Sequence, residues 1–132
     1  MNCSQAVFLS FASDFGIDEE TAKKMTLGLG GGVGRMREVC GAVSAAAMVL
    51  GAAFEKEGKA VAYEKIQEFA RRFQNESGSI ICAERLNLPR EFSSCVPEKR
   101  TEDYYSRRPC VQICGDAARI LEEMLAEKEK EQ

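Results

Sequence analysis

From Val39 to Phe54 the chain carries no ionisable side chain other than Cys40, and Gly41, Ala42, Ser44, Ala45, Ala46 and Ala47 keep it slender. A helix of this composition has no polar face to offer water, so it must be buried on nearly all sides. The run is shorter than the roughly 20 apolar residues that span a bilayer. It therefore reads as a central packing helix, and its small side chains let neighbouring helices come close. The rest of the chain has to supply those neighbours.

It does so with helical periodicity. Val7, Phe8, Phe11 and Phe15 recur at spacings of three and four, which predicts a first helix from Cys3 to Phe15, stopped by Gly16. Asp18 is placed to cap a second helix running through Lys24 and Leu27. The central helix is expected from about Glu38 to Glu57, ending at Gly58. A fourth, from about Ala60 to Glu76, turns Val61, Ile66, Phe69, Ala70 and Phe73 inward, with Gly78 as its stop. A short helical turn at Ala83 to Asn87 follows Cys82, and Pro89 closes it. Arg90 to Arg108 reads as a polar loop. A last helix starts near Pro109, and Glu127 to Glu131 reads as its solvated, fraying end. No strand pattern of any length occurs. The expectation is an all-α chain: one domain over residues 1–132, a compact bundle of about five helices around the small-residue helix.

The formal net charge of -3 argues against a general nucleic-acid binder, because phosphate neutralisation dominates that affinity. Lys99, Arg100, Tyr104, Tyr105, Arg107 and Arg108 interleave basic and aromatic residues, but Glu102 and Asp103 sit among them. A solvated loop accounts for that stretch. No Lys or Arg precedes Lys23, so a secretory start is not indicated. The expected location is the cytoplasm, with no nucleic-acid partner and no membrane insertion.

The chain has no histidine, which removes Ser-His-Asp and Cys-His catalysis and imidazole metal ligation together. Gly28, Gly30, Gly31, Gly32 and Gly34 suggest a phosphate loop, but Val33 stands where a dinucleotide fingerprint starting at Gly28 needs Gly or Ala. No Gly-Lys-Ser/Thr follows either. These glycines read better as a tight backbone turn against another segment.

What remains is sulfur. Six cysteines are many for a reduced compartment: Cys3, Cys40, Cys82, Cys95, Cys110 and Cys114. In such a compartment they serve redox cycling, metal binding, or simply packing as small apolar side chains. Cys40 is expected in the first turn of the central helix, where free N–H groups favour a thiolate, with Arg35 and Arg37 adding to the effect and Glu38 opposing it. Cys3 should face inward, one turn before Val7. Cys110 and Cys114 share a helix face above Ala117 and Leu121; they cannot readily bond each other there, but they can present two sulfurs to a third element or to a metal. Cys95 falls in the polar loop. There is no Cys-x-x-Cys, so any metal site must be assembled from distant segments.

Taken together, Asn2-Cys3-Ser4-Gln5-Ala6-Val7, the glycine loop through Gly34, Val39-Cys40-Gly41-Ala42-Val43-Ser44, Gly78-Ser79-Ile80-Ile81-Cys82 and Cys110 form a pattern. It resembles the C-GCAxxG-C-C family of small helical proteins, whose name carries an assignment of redox activity. The resemblance covers nearly the whole chain and implies that Cys3, Cys40, Cys82 and Cys110 are the four shared cysteines. Ala45 replaces the last glycine of the central motif, Cys95 and Cys114 lie outside the shared set, and fewer residues precede the first cysteine than in most members. Similar domains occur in split-Soret cytochromes, but without Cys-x-x-Cys-His or any histidine no covalent haem is expected here.

Three functions compete at this point. One is a cysteine-based redox protein, working by electron transfer or by thiol–disulfide exchange (in enzyme terms a thiol–disulfide oxidoreductase), with Cys40 attacking and Cys3, Cys82 or Cys110 resolving; its redox partner is unknown. Another is an iron–sulfur or zinc centre held by Cys3, Cys40, Cys82 and Cys110, completed within one chain or across a homodimer. The third is an interaction module whose cysteines are incidental.

Overall fold

The computed structural model describes residues 1–87 and 110–130, with the side chain of Cys110 outside the description. Pro89, Pro109, Cys95 and the loop read over Arg90–Arg108 therefore lie outside the described residues. Within them are six α-helices, and the only ladder-type pairing is one isolated antiparallel bridge between Val39 and Ile81. The fold is all-α, as the periodicity implies.

Helix α1 (Cys3–Ala12) tightens into a 3-10 turn over Ser13–Phe15 and stops at Gly16, so the predicted span is met with its last turn overwound. Helix α2 (Glu19–Thr26) is capped by the Asp18 carboxylate, which accepts the Thr21 N–H at 3.3 Å. Helix α3 (Gly41–Phe54) tightens in the same way over Glu55–Glu57 before Gly58. Helices α4 (Lys59–Ser77), α5 (Cys82–Leu86) and α6 (Cys110–Lys130) complete the set.

Helix α3 packs against α1, α4 and α6, and α2 lies along α1. Ala42, Ala45, Ala46, Val49 and Leu50 of α3 are fully buried. Around them close Val7, Phe8 and Phe11 from α1, Phe69 and Phe73 from α4, and Ala117, Ile120 and Leu121 from α6. Phe69 and Phe73 stack at 5.9 Å between centroids. The slender helix is thus the shared wall of the core.

Two boundaries differ from expectation. Helix α3 begins at Gly41 rather than near Glu38, because the residues before it are extended and bonded to the segment that starts α5. The Cys40 N–H donates to the Ile80 carbonyl at 2.7 Å, the Cys82 N–H to Glu38 at 2.7 Å, and the Ala83 N–H to Arg37 at 3.1 Å. At the other end, α6 holds its helical form through Lys130 instead of fraying from Glu127. Lys128 donates to the Ala53 carbonyl at 2.6 Å and sits 5.1 Å from the Phe54 ring centre, while Arg72 pairs with Glu127 at 3.0 Å. That guanidinium holds the Glu127 carboxyl below its ordinary range. The tail is pinned across the ends of α3 and α4.

Candidate functional site

The site is built from helix beginnings. At the start of α1, Asn2 and Gln5 form a reciprocal capping box: the Asn2 side chain accepts the Gln5 N–H at 3.0 Å, and the Gln5 side chain accepts the Asn2 N–H at 2.9 Å. The buried Ser4 hydroxyl lies 2.7 Å from the Thr26 carbonyl and 2.6 Å from Asn2 Oδ1. Asn2 Nδ2 and Gln5 Nε2 donate to the carbonyls of Leu27 and Lys23. The residues on either side of Cys3 are therefore structural. They tie the first turn of α1 to the end of α2 and fix where Cys3 stands.

The glycine loop delivers the next element. Five consecutive residues, Gly31 to Arg35, have φ between 55° and 70°, and Arg37 follows at 63°. This is a run in left-handed backbone, a conformation that costs a residue with a Cβ roughly 1–2 kcal/mol. Val33, Arg35 and Arg37 carry that cost. At Gly32 a Cβ would also come within 2.6 Å of the Glu38 nitrogen, so the loop closes on itself there and only glycine fits. Gly34, Arg37 and Glu38 donate back to the carbonyls of Gly28, Gly31 and Gly32. The turn expected from these glycines is present, and it ends by setting Arg37 inward, 5% exposed.

The extended residues 38–40 then meet residues 80–82. In this register Cys40 lies opposite Ile80 and Cys82 opposite Glu38, so both cysteines project from the same side of the short ladder, diagonal to one another. Ser79 steadies the segment 80–82: its hydroxyl accepts the Ile81 N–H at 3.0 Å and donates to the Glu84 carboxylate. Both sulfurs are largely covered, Cys40 at 5% and Cys82 at 7% exposure.

Each of these two cysteines faces an arginine supplied by the other's segment. Arg85, in the helix that follows Cys82, places Nη1 3.1 Å from the Cys40 sulfur. Arg37, in the segment that precedes Cys40, places Nη1 3.7 Å from the Cys82 sulfur. Arg85 also lies over the Phe73 ring at 5.4 Å, which holds its planar head in place. Burial pushes the Cys40 thiol above its ordinary value; the Arg85 charge and the N–H groups of Ala42 and Val43 pull it back part of the way, and the neighbouring Cys82 opposes them.

The expected electrostatics of Cys40 are thus rearranged. It stands at the N-cap of α3, one residue before the first turn, and its cation is Arg85 rather than Arg35 or Arg37. Nothing in the local sequence names Arg85 as that partner. It lies three residues past Cys82, a spacing that marks it as near a helical turn of Cys82, yet it serves the other sulfur.

Cys3 lies close by. A Cβ on Gly41 would stand 3.1 Å from the Ser4 nitrogen and 3.1 Å from the Leu29 carbonyl, so the backbone following Cys40 presses on the backbone following Cys3. Cys114, which the family pattern leaves out, is half-buried beside it with its sulfur 3.8 Å from the Cys3 carbonyl. Helix α6 begins at Cys110, whose side chain lies outside the described residues. The four shared cysteines accordingly mark four helix starts, in α1, α3, α5 and α6. Cys3, Cys40, Cys82 and Cys114 are all thiols, without a disulfide. Among the described residues no three His, Cys, Asp or Glu side chains converge as a metal site would require. None of the described helices is long and apolar enough to cross a membrane.

Comparison with curated proteins and with solved structures gave no match. One family model does match, over residues 1–124, and its description is "Putative redox-active protein (C_GCAxxG_C_C)". That span covers the helix starts bearing all four shared cysteines, and the chain belongs to the C_GCAxxG_C_C family.

Proposed function

We propose that this protein is a thiol–disulfide exchange protein whose working pair is Cys40 and Cys82. The observation that carries the reading is the crossed arrangement, in which each sulfur faces the arginine of the other's segment. Two buried thiols on one side of a short ladder, each with its own cation, suit a pair of sulfurs that work together. Incidental core cysteines have no need of guanidinium partners, and here one of the two, Arg37, is itself buried.

The exchange runs in two displacements. The Cys40 thiolate, supported by Arg85, attacks one sulfur of a partner disulfide; that bond breaks, and the departing partner sulfur takes up a proton. The Cys82 thiolate, supported by Arg37, then attacks the Cys40 sulfur, and the second partner thiol leaves. The partner gains two electrons and two protons, and the Cys40–Cys82 pair gives them up. Diagonal neighbours stand about 7–8 Å apart, beyond the reach of a relaxed disulfide at about 4.4–6.8 Å between α-carbons. Closing the bond therefore requires a shift of α5, a helix of only five residues.

Graded oxidation followed by non-reducing peptide mapping tests this. Cleavage after Lys and Arg places Cys40 and Cys82 on different peptides, and the expected product links them. Its absence at every oxidant level, with both thiols still open to alkylation after denaturation, refutes the reading.

A further inference from the structure

The family pattern assigns nothing to Cys114, yet it stands against a shared cysteine. Its sulfur is 3.8 Å from the backbone oxygen of Cys3, close enough for the S–H to donate weakly there. The two residues come from helices that pack together, α1 and α6. Neither position is arbitrary. Cys3 is pinned by the capping box and by Ser4, and Cys114 rides directly above Ala117, which is fully buried in the core and lets α6 approach closely. Cys3 and Cys114 are both half-buried, whereas Cys40 and Cys82 are covered.

We infer that Cys3 and Cys114 form a second, more accessible dithiol that bonds reversibly across α1 and α6. This rests on the thiol-exchange reading for its role, and on geometry alone for its pairing. The chemistry needs one co-reactant, a disulfide or another two-electron thiol oxidant. The Cys3 thiolate, at the first residue of α1, attacks the partner disulfide and expels one partner thiol. The Cys114 thiolate then attacks the Cys3 sulfur and expels the other. Two electrons and two protons pass to the partner, and the Cys3–Cys114 bond remains. The close approach of Gly41 to the Ser4 backbone brings together the residues that follow Cys40 and Cys3, and so brings this bond toward Cys40. Attack there by the Cys40 thiolate, resolved by Cys82, restores both outer thiols and leaves the buried pair oxidised. The outer pair is thus a second, more exposed route by which oxidising equivalents reach the inner pair.

The probe is diamide, which takes up two electrons and two protons from a dithiol and becomes the hydrazine. The whole chain is titrated with it, and linked peptides are mapped without reduction. Cys110 and Cys114 share one peptide after cleavage at Lys and Arg, so Cys110→Ser and Cys114→Ser are mapped in parallel, with fragmentation to locate the bond. The expected result is a Cys3-linked product that persists in Cys110→Ser, disappears in Cys114→Ser, and forms at lower diamide than the Cys40–Cys82 product. A Cys3 bond that survives Cys114→Ser and vanishes in Cys110→Ser overturns the inference. So does a Cys114 that alkylates fully in the native fold at every diamide level. The Cys40–Cys82 product is read in the same maps, so failure of the outer pair and failure of the inner pair are seen separately. Should Cys114→Ser fold poorly, fragmentation of the wild-type product places the bond without it.

Discussion

Arg85 and Cys40 meet at 3.1 Å between guanidinium nitrogen and sulfur, although 45 residues separate them in the chain. The contact links the N-cap of α3 to α5, and it opposes the burial that keeps Cys40 protonated. Replacing Arg85 with Met removes the charge while keeping much of the bulk. The pH midpoint for Cys40 alkylation should then move upward, and each unit of that shift lowers the thiolate fraction about tenfold below the midpoint. Arg85→Lys should recover part of the loss. Mass-spectrometric alkylation rates across a pH series measure both, and an unmoved midpoint in Arg85→Met removes Arg85 from the chemistry.

Burial of the Cys40 thiol should also make stability fall in mild alkali. The folded state holds the Cys40 proton more tightly than the unfolded chain does. Its contribution is whole below the unfolded thiol value, near about 8.5, and is lost as pH climbs through the raised folded value. Denaturant midpoints measured from pH 7 upward should decline in the wild type. Cys40→Ala should flatten the part of that decline due to this thiol, and equal slopes in the two proteins would count against the assignment.

Gly41 is where the two cysteine-bearing helix starts touch. A methyl group there meets backbone on two sides, Ser4 and Leu29, at 3.1 Å each. Backbone held by helix caps gives little, so Gly41→Ala should cost about 1–3 kcal/mol and lower Tm by several degrees, despite the better helix propensity of Ala. Thermal melts of Gly41→Ala and of Gly51→Ala, where an added Cβ meets nothing, make the comparison. If both variants melt alike, the close approach at Gly41 has no energetic consequence.

Lys128 closes the far end of the molecule by its bond to the Ala53 carbonyl and its place over Phe54. Lys128→Ala should cost about 1 kcal/mol and increase amide exchange over the last turns of α6. Exchange rates unchanged beyond Glu122 would mean that the tail holds its helix without this anchor.

The all-helical fold was readable because helical patterning is local. The uncharged run 39–54 dictated a buried centre, the phenylalanine spacings set the facing helices, and Asp18, Gly16 and Gly78 marked ends by their own chemistry. The glycine loop was readable as a turn, since glycine density reports backbone freedom directly. Its left-handed course was not, because Val33 and Arg35 adopt that conformation only where the surrounding hydrogen bonds hold them.

The cysteines divide in the same way. Sequence alone singled out Cys3, Cys40, Cys82 and Cys110 by family pattern, and it placed Cys110 and Cys114 on one helical face. Tertiary structure decided what they meet. A single bridge between Val39 and Ile81 shortened α3 by its expected first residues and set Cys40 diagonal to Cys82. The same pairing crossed the arginines, so Arg85 answers Cys40 and Arg37 answers Cys82. Cys114 came to rest on Cys3 only because α6 packs against α1. Helix periodicity is written residue by residue along the chain. The partner of a buried charge or sulfur depends on which distant segments share a wall, and that is set by packing across the core.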